Sequence, residues 1–250
     1  MRQFLGMIVS LWGCWTGTSS LAQGRPCMDD SLRHTQLAAQ DRAQLRELQT
    51  QYGIHTPSPR VQGVFDRLVR AQSDGADEDL HWQLAGYSSG AINAHAMHTG
   101  TVVISRGLDA PGLPEPLIAA ALAHEIAHVV LKHGLQQACT ALQVAQARAM
   151  PQVWSSDEDP GHRVRELMHA HELQADALAV QGLQRAGYPR HSMSSLLRFL
   201  AARQSPAARA SAGSHPDHRL RIARALQAES APGARRASTC SDCSHETPLD

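Results

Sequence analysis

The chain has 250 residues, enough for one sizeable core or a core with a small appendage. Its 23 basic and 23 acidic residues are spread along it and cancel to a formal charge of zero. That argues against nucleic acid as a partner, since phosphate binding needs a basic surplus on one face. Aromatics make up only 4%, while Ala, Gln, Leu and Arg dominate, so the expected core is helix-rich and packed with small aliphatics.

The N-terminus has the pattern of a secretory signal. Arg2 supplies the positive start, residues 4–15 the apolar run, and Ser20-Leu21-Ala22 the small residues that precede a cleavage site. Cleavage is expected after Ala22, so residues 1–22 are a signal peptide and the protein is periplasmic. The apolar run is short for a membrane span. Leu11-Trp12-Gly13-Cys14 loosely resembles a lipobox, which gives the alternative of an outer-membrane lipoprotein anchored through Cys14, although Trp12 fits that pattern poorly. No later segment is apolar enough to cross a bilayer, so no stable membrane span is expected after cleavage. The remaining cysteines, Cys27, Cys139, Cys240 and Cys243, are even in number, which favours disulfides in an exported protein. Among three possible pairings, Cys27 with Cys139 would tie the N-terminal arm to the middle of the chain, and Cys240 with Cys243 would close a small tail loop.

Residues 23–58 form an arm and a helix. The helix, over 30–52, carries Leu32, Leu37, Leu45 and Leu48 at roughly helical spacing. Tyr52-Gly53 and Pro57-Ser58-Pro59 break it. A main domain over 59–229 then begins with a helix at 61–71, built on Val64, Phe65, Leu68 and Val69. Residues 73–79 are a loop. The period changes at 81–87 and 101–105, which are strand-like, with 92–97 as a third, edge strand and His98-Thr99-Gly100 as a turn. Residues 116–133 are apolar and helix-favouring, with Glu115-Pro116 suited to a start and Gly134 to a stop. Residues 136–149 extend that helix or form another. A polar loop over 150–161, helices at 163–185 and 192–203, a loop to His215-Pro216 and a helix at 219–228 follow. Residues 230–250 have little to bury and read as a disordered tail.

The chemistry concentrates in His124-Glu125-Ile126-Ala127-His128. Residues four apart share a helix face, so both imidazoles can point at one ion, and Glu125 beside them can take a proton from a water bound to it. Zinc suits the set, because it accepts imidazole ligands and lowers the pKa of bound water to about 7. A catalytic zinc needs a third protein ligand. His133 lies five residues on, about 140° around the helix, and so leaves the ligand face; it reads as a packing or hydrogen-bonding histidine. The better source is His171-Glu172-Leu-Gln-Ala-Asp176. There one carboxylate of the i, i+4 pair can reach the ion while the other receives the free ring N–H of a ligand histidine.

The pairing of His124-Glu-Ile-Ala-His128 with Glu172-Leu-Gln-Ala-Asp176 resembles the M48 family of zinc metallopeptidases. Asn93-Ala-His-Ala96 is similar to that family's edge-strand segment, and Ser214-His215-Pro216 with Arg219 and Arg221 to its C-terminal His-Pro segment. The resemblance covers about residues 59–227. It implies an α+β, mainly helical zincin-like domain, expected to carry a small antiparallel sheet. It also implies one zinc ion per chain on His124, His128 and Glu172, Glu125 as general base, and Asp176 behind the ligands. The chain lacks the spans of the family's membrane-bound prenyl proteases, so the soluble periplasmic branch fits better. The activity implied is endopeptidase cleavage of extended or misfolded envelope polypeptides by zinc-bound water, with Asn93, Ala94 and Ala96 adding the substrate as a strand. His215 is the candidate oxyanion donor, or a fourth group closing the zinc site at rest, with Arg219 or Arg221 as a further oxyanion candidate. The rival reading is a latent or non-proteolytic chaperone or assembly factor that uses the same groove.

Overall fold

The computed structural model describes residues 30–72, 80–149, 160–203 and 217–231. The expected signal peptide with Cys14, the pairing partners Cys27, Cys240 and Cys243, the loops at 73–79 and 150–159, His215-Pro216 and the tail lie outside the described residues. Seven helices and a three-stranded sheet appear among those described: α1 (Asp30–Tyr52), α2 (Pro59–Gln72), β1 (Gln83–Tyr87), β2 (Ala94–Ala96), β3 (Thr101–Ser105), α3 (Glu115–Val130), α4 (His133–Ala149), α5 (Pro160–Arg185), α6 (Ser192–Arg203) and α7 (His218–Ser230).

Helix α3 is apolar nearly all round because it is packed nearly all round. Ile118, Ala119, Ala120, Leu122, Ala123, Ile126 and Ala127 are fully buried, and α2, α5, α6 and the sheet close around them. Its alanines let the neighbouring helices approach closely, while Phe65, Leu68, Leu183, Met193 and Leu197 fill the space between. Pro116 sits in the first turn, where its missing N–H costs nothing. The stop comes earlier than Gly134: the helix ends at Val130, and Lys132 takes the left-handed conformation (φ 54°) that turns the chain into α4. Gly134 serves packing instead, since a Cβ there would lie 2.8 Å from Cδ2 of His98.

The sheet departs from the expected antiparallel arrangement. Its order is β1-β3-β2; β3 pairs antiparallel with β2 but parallel with β1, so the sheet is mixed. After β1 the chain moves to the far edge to lay down β2, then turns back at His98-Thr99-Gly100 and fills the slot between them. That places Val102, Val103 and Ile104, all fully buried, at the centre. Alternation of side chains reports which face is buried but not which way a non-adjacent strand runs.

Helix α1 covers the sheet face opposite α3. Leu45, Leu48 and Tyr52 pack against Ala85, Tyr87, Met97 and Val103. The anchor is polar: Asp41, 3% exposed, accepts from His98 Nδ1 (2.7 Å) and from the backbone N–H and hydroxyl of Thr99 (2.9 and 2.8 Å). Burial alone would raise the Asp41 carboxyl, but these donors outweigh it and hold the group below its ordinary pKa.

Candidate metal centre

His124 and His128 occupy successive turns of α3 and aim their Nε2 atoms at each other across 3.0 Å. From α5, Glu172 brings Oε2 to 3.5 Å of His124 Nε2 and Oε1 to 3.5 Å of His128 Nε2. The helices come this close because Ala175, on the buried side of α5, is fully enclosed. Ligand atoms of the three residues lie within 4.8 Å of one another. Two facing imidazole nitrogens can share only one proton, and the carboxylate adds a third lone-pair donor. A single cation satisfies all three, and two imidazoles with one carboxylate are a donor set that zinc accepts while keeping a position open.

The rest of the site holds those ligands still. Asp176, one turn beyond Glu172, sets Oδ1 3.0 Å from His124 Nδ1; a carboxylate that close favours a proton on Nδ1 electrostatically and so favours Nε2 as the ligand atom. Asp176 is in turn gripped by Arg221 of α7, whose Nε and Nη2 donate to its two oxygens at 2.8 Å each. Arg221 Nη1 reaches Glu172 Oε2, also at 2.8 Å. One guanidinium thus fixes both carboxylates in a buried setting. Burial disfavours the charged forms of all of these groups, and mutual attraction wins: Asp176 is held below the carboxyl range by Arg221 and His124, and His124 is pushed up to about 10 by Asp176 and Glu172. A proton and a cation therefore compete for the same negative pole.

Glu125 lies beside this pole, half-buried. Burial raises its carboxyl; the His124 and His128 rings, and the hydrogen bond it accepts from the Ala96 backbone N–H, pull it back, and the net shift is upward. An acid–base group works best with a pKa near the working pH, and the shift is in that direction.

A family model for peptidase family M48 matches residues 55–229, well over half of the chain. The chain belongs to peptidase family M48. No curated protein sequence matches it. M48 enzymes are zinc-dependent metallopeptidases, so membership implies metallopeptidase activity and accounts for a His124, His128 and Glu172 cluster.

The other expected site residues of this M48 chain divide. Ala94 and Ala96 lie on the free edge: Asn93 and Met97 pair with Ser105 and Thr101 of β3, so the alternation of an antiparallel ladder turns the N–H and C=O groups of 94 and 96 outward. Asn93 is committed inward, its carbonyl accepting from Ser105 N–H and its amide donating to Tyr87 Oη at 3.1 Å, so it braces the edge instead of presenting itself to a substrate. Arg221 is corrected from oxyanion candidate to carboxylate clamp, because its donors are directed at Asp176 and Glu172. Arg219 is exposed at the start of α7, where its backbone N–H is capped by Asp217 Oδ1. His133 is off the ligand face as expected and hydrogen-bonds His128 from behind. Gln174, Gln136 and Gln137, which support this histidine row, went unnoticed in the sequence. The need for a positive charge between two buried carboxylates was the signal that could have assigned Arg221 its place.

Proposed function

We propose that the chain is a zinc endopeptidase that cleaves extended polypeptides in the bacterial envelope. One observation carries the reading: the His124, His128 and Glu172 ligand atoms converge beside a Glu125 carboxylate that is itself hydrogen-bonded to the outward edge of β2. A zinc ion bound there would polarise the attacking water and the scissile carbonyl. Glu125 takes the proton from that water and later delivers it to the leaving amine. Asp176 and Arg221 keep His124 and Glu172 in position throughout. A substrate in extended form adds to β2 through the main-chain groups of Ala94 and Ala96, which favours unfolded segments over a tight sequence motif. Addition there competes with the hydrogen bond between Ala96 and Glu125, so substrate binding frees the base. His215, two residues before the cap of α7, supplies the charge for the oxyanion. Export after cleavage at Ala22, and a disulfide from Cys139 on α4, fit the envelope location.

The test is casein hydrolysis by the full chain and its Glu125→Gln variant with zinc present. The wild type should cleave, and the variant should lose roughly 10²–10⁴-fold in kcat, the range of a lost general acid–base group, while still binding zinc. Undiminished cleavage by Glu125→Gln overturns the mechanism. Binding of unfolded casein without cleavage by either form would favour the chaperone reading.

A further inference from the structure

Among the described residues, Asp176 stands behind Nδ1 of His124, whereas no carboxylate stands behind Nδ1 of His128. Behind it lies His133, fully buried, with Nδ1 3.1 Å from His128 Nδ1. Two imidazole nitrogens at that distance share one proton, and the far side of His133 decides which of them owns it. His133 Nε2 lies 3.1 Å from Gln174 Oε1. A carbonyl oxygen can only accept, so Nε2 carries the His133 proton, its Nδ1 is a lone pair, and His128 must donate through Nδ1–H. His128 Nε2 is then bare and faces the metal position.

The ring of His133 is also fixed in its plane. His171 stacks on it with centroids 4.0 Å apart and planes within 6°. His171 is itself held at both nitrogens, with Nε2–H donating to Gln136 Oε1 (2.8 Å) and Nδ1 accepting from Gln137 Nε2 (3.3 Å). The glutamines come from α4 and α5, and His133 opens α4, so the relay spans both helices flanking the site.

We infer that His133 and Gln174 are positioning residues that set the tautomer of His128 as a metal ligand, through the relay from Gln174 Oε1 to His133 to His128. The inference rests on the metal reading above and extends it to residues outside the His124, His128 and Glu172 set.

The experiment measures the Zn²⁺ affinity of the full chain by competition with a chromogenic chelator, together with imidazole ¹⁵N spectra of the zinc-free protein. His133→Leu leaves His128 Nδ1–H without its acceptor and should weaken zinc binding about 10–100-fold, the usual effect of losing the group behind a ligand histidine. His133→Asn, whose amide oxygen can occupy the place of Nδ1, should recover most of that loss. Gln174 is exposed, so its variants test the relay without endangering the fold. Gln174→Met should weaken binding several-fold, and Gln174→Glu, a stronger acceptor, should tighten it. Both effects should vanish in the His133→Leu background. In the spectra, His128 should shift from the Nδ1–H tautomer toward a mixture in His133→Leu. Equal affinities for His133→Leu and His133→Asn, or a gain from Gln174→Glu that persists without His133, would overturn the relay. A wild-type chain whose zinc affinity is unchanged by His128→Ala would instead overturn the metal reading on which it rests.

Discussion

Replacing Arg221 by Leu tests the clamp behind the ligands. The guanidinium makes three contacts of 2.8 Å to Asp176 and Glu172, and all three side chains are at most 10% exposed. Opposite charges about 4 Å apart attract by roughly 4 kcal/mol at an effective dielectric of 20. Removing one partner of a buried ion pair costs about 3–5 kcal/mol, because the other charge stays buried. A domain has only about 5–15 kcal/mol in total. Arg221→Leu should therefore lose a large part of its stability in urea with a chelator present. Zinc replaces part of the missing positive charge beside Glu172, so it should stabilise the variant by more than it stabilises the wild type. Adding Asp176→Asn should restore part of the loss, since the stranded charge goes with it, and the double-mutant cycle should show coupling of more than about 1 kcal/mol. Strict additivity, or equal urea midpoints for Arg221→Leu and wild type in chelator, would refute the reasoning.

Three further outcomes are expected. Asp41→Ala removes three hydrogen bonds to a buried carboxylate and should cost about 2–4 kcal/mol in urea denaturation, with α1 amides exchanging fastest. Gly134→Ala drives a methyl against the His98 ring that Asp41 pins, and should lower stability by about 1–3 kcal/mol, an effect that disappears in His98→Ala. Asp41 and Asp109 are both held below the ordinary carboxyl pKa, against burial that would raise them, Asp41 by His98 and Thr99 and Asp109 by Ser58 and His55. A depressed carboxyl stabilises the fold above its unfolded pKa and loses that contribution as pH falls through the folded one. Below about pH 5, where the carboxylates protonate, the urea midpoint should thus fall less steeply in Asp41→Asn than in the wild type.

What the chain determines locally was readable from it. Helical spacing alone puts His124 with His128, and Glu172 with Asp176, on shared faces, and Pro116, the Gly187 region and the apolar runs bound the helices close to where they lie. Local spacing also takes His133 off the ligand face. It does not say which faces meet. Leu45 and Leu48 suggested an ordinary amphipathic α1, yet the helix is anchored by Asp41, whose partners are more than fifty residues away. The parallel run of β1 beside β3, the division of labour between Glu172 at the metal position and Asp176 behind His124, the capture of both by Arg221, and the acceptor waiting for His128 on His133 all depend on how α3, α4, α5 and α7 pack. A helix carries its own periodicity because its hydrogen bonds are local, but a buried charge is decided by whichever partner the tertiary structure brings within reach. The His124, His128 and Glu172 cluster was therefore legible in the sequence, and the groups that hold it in place were decided by the fold.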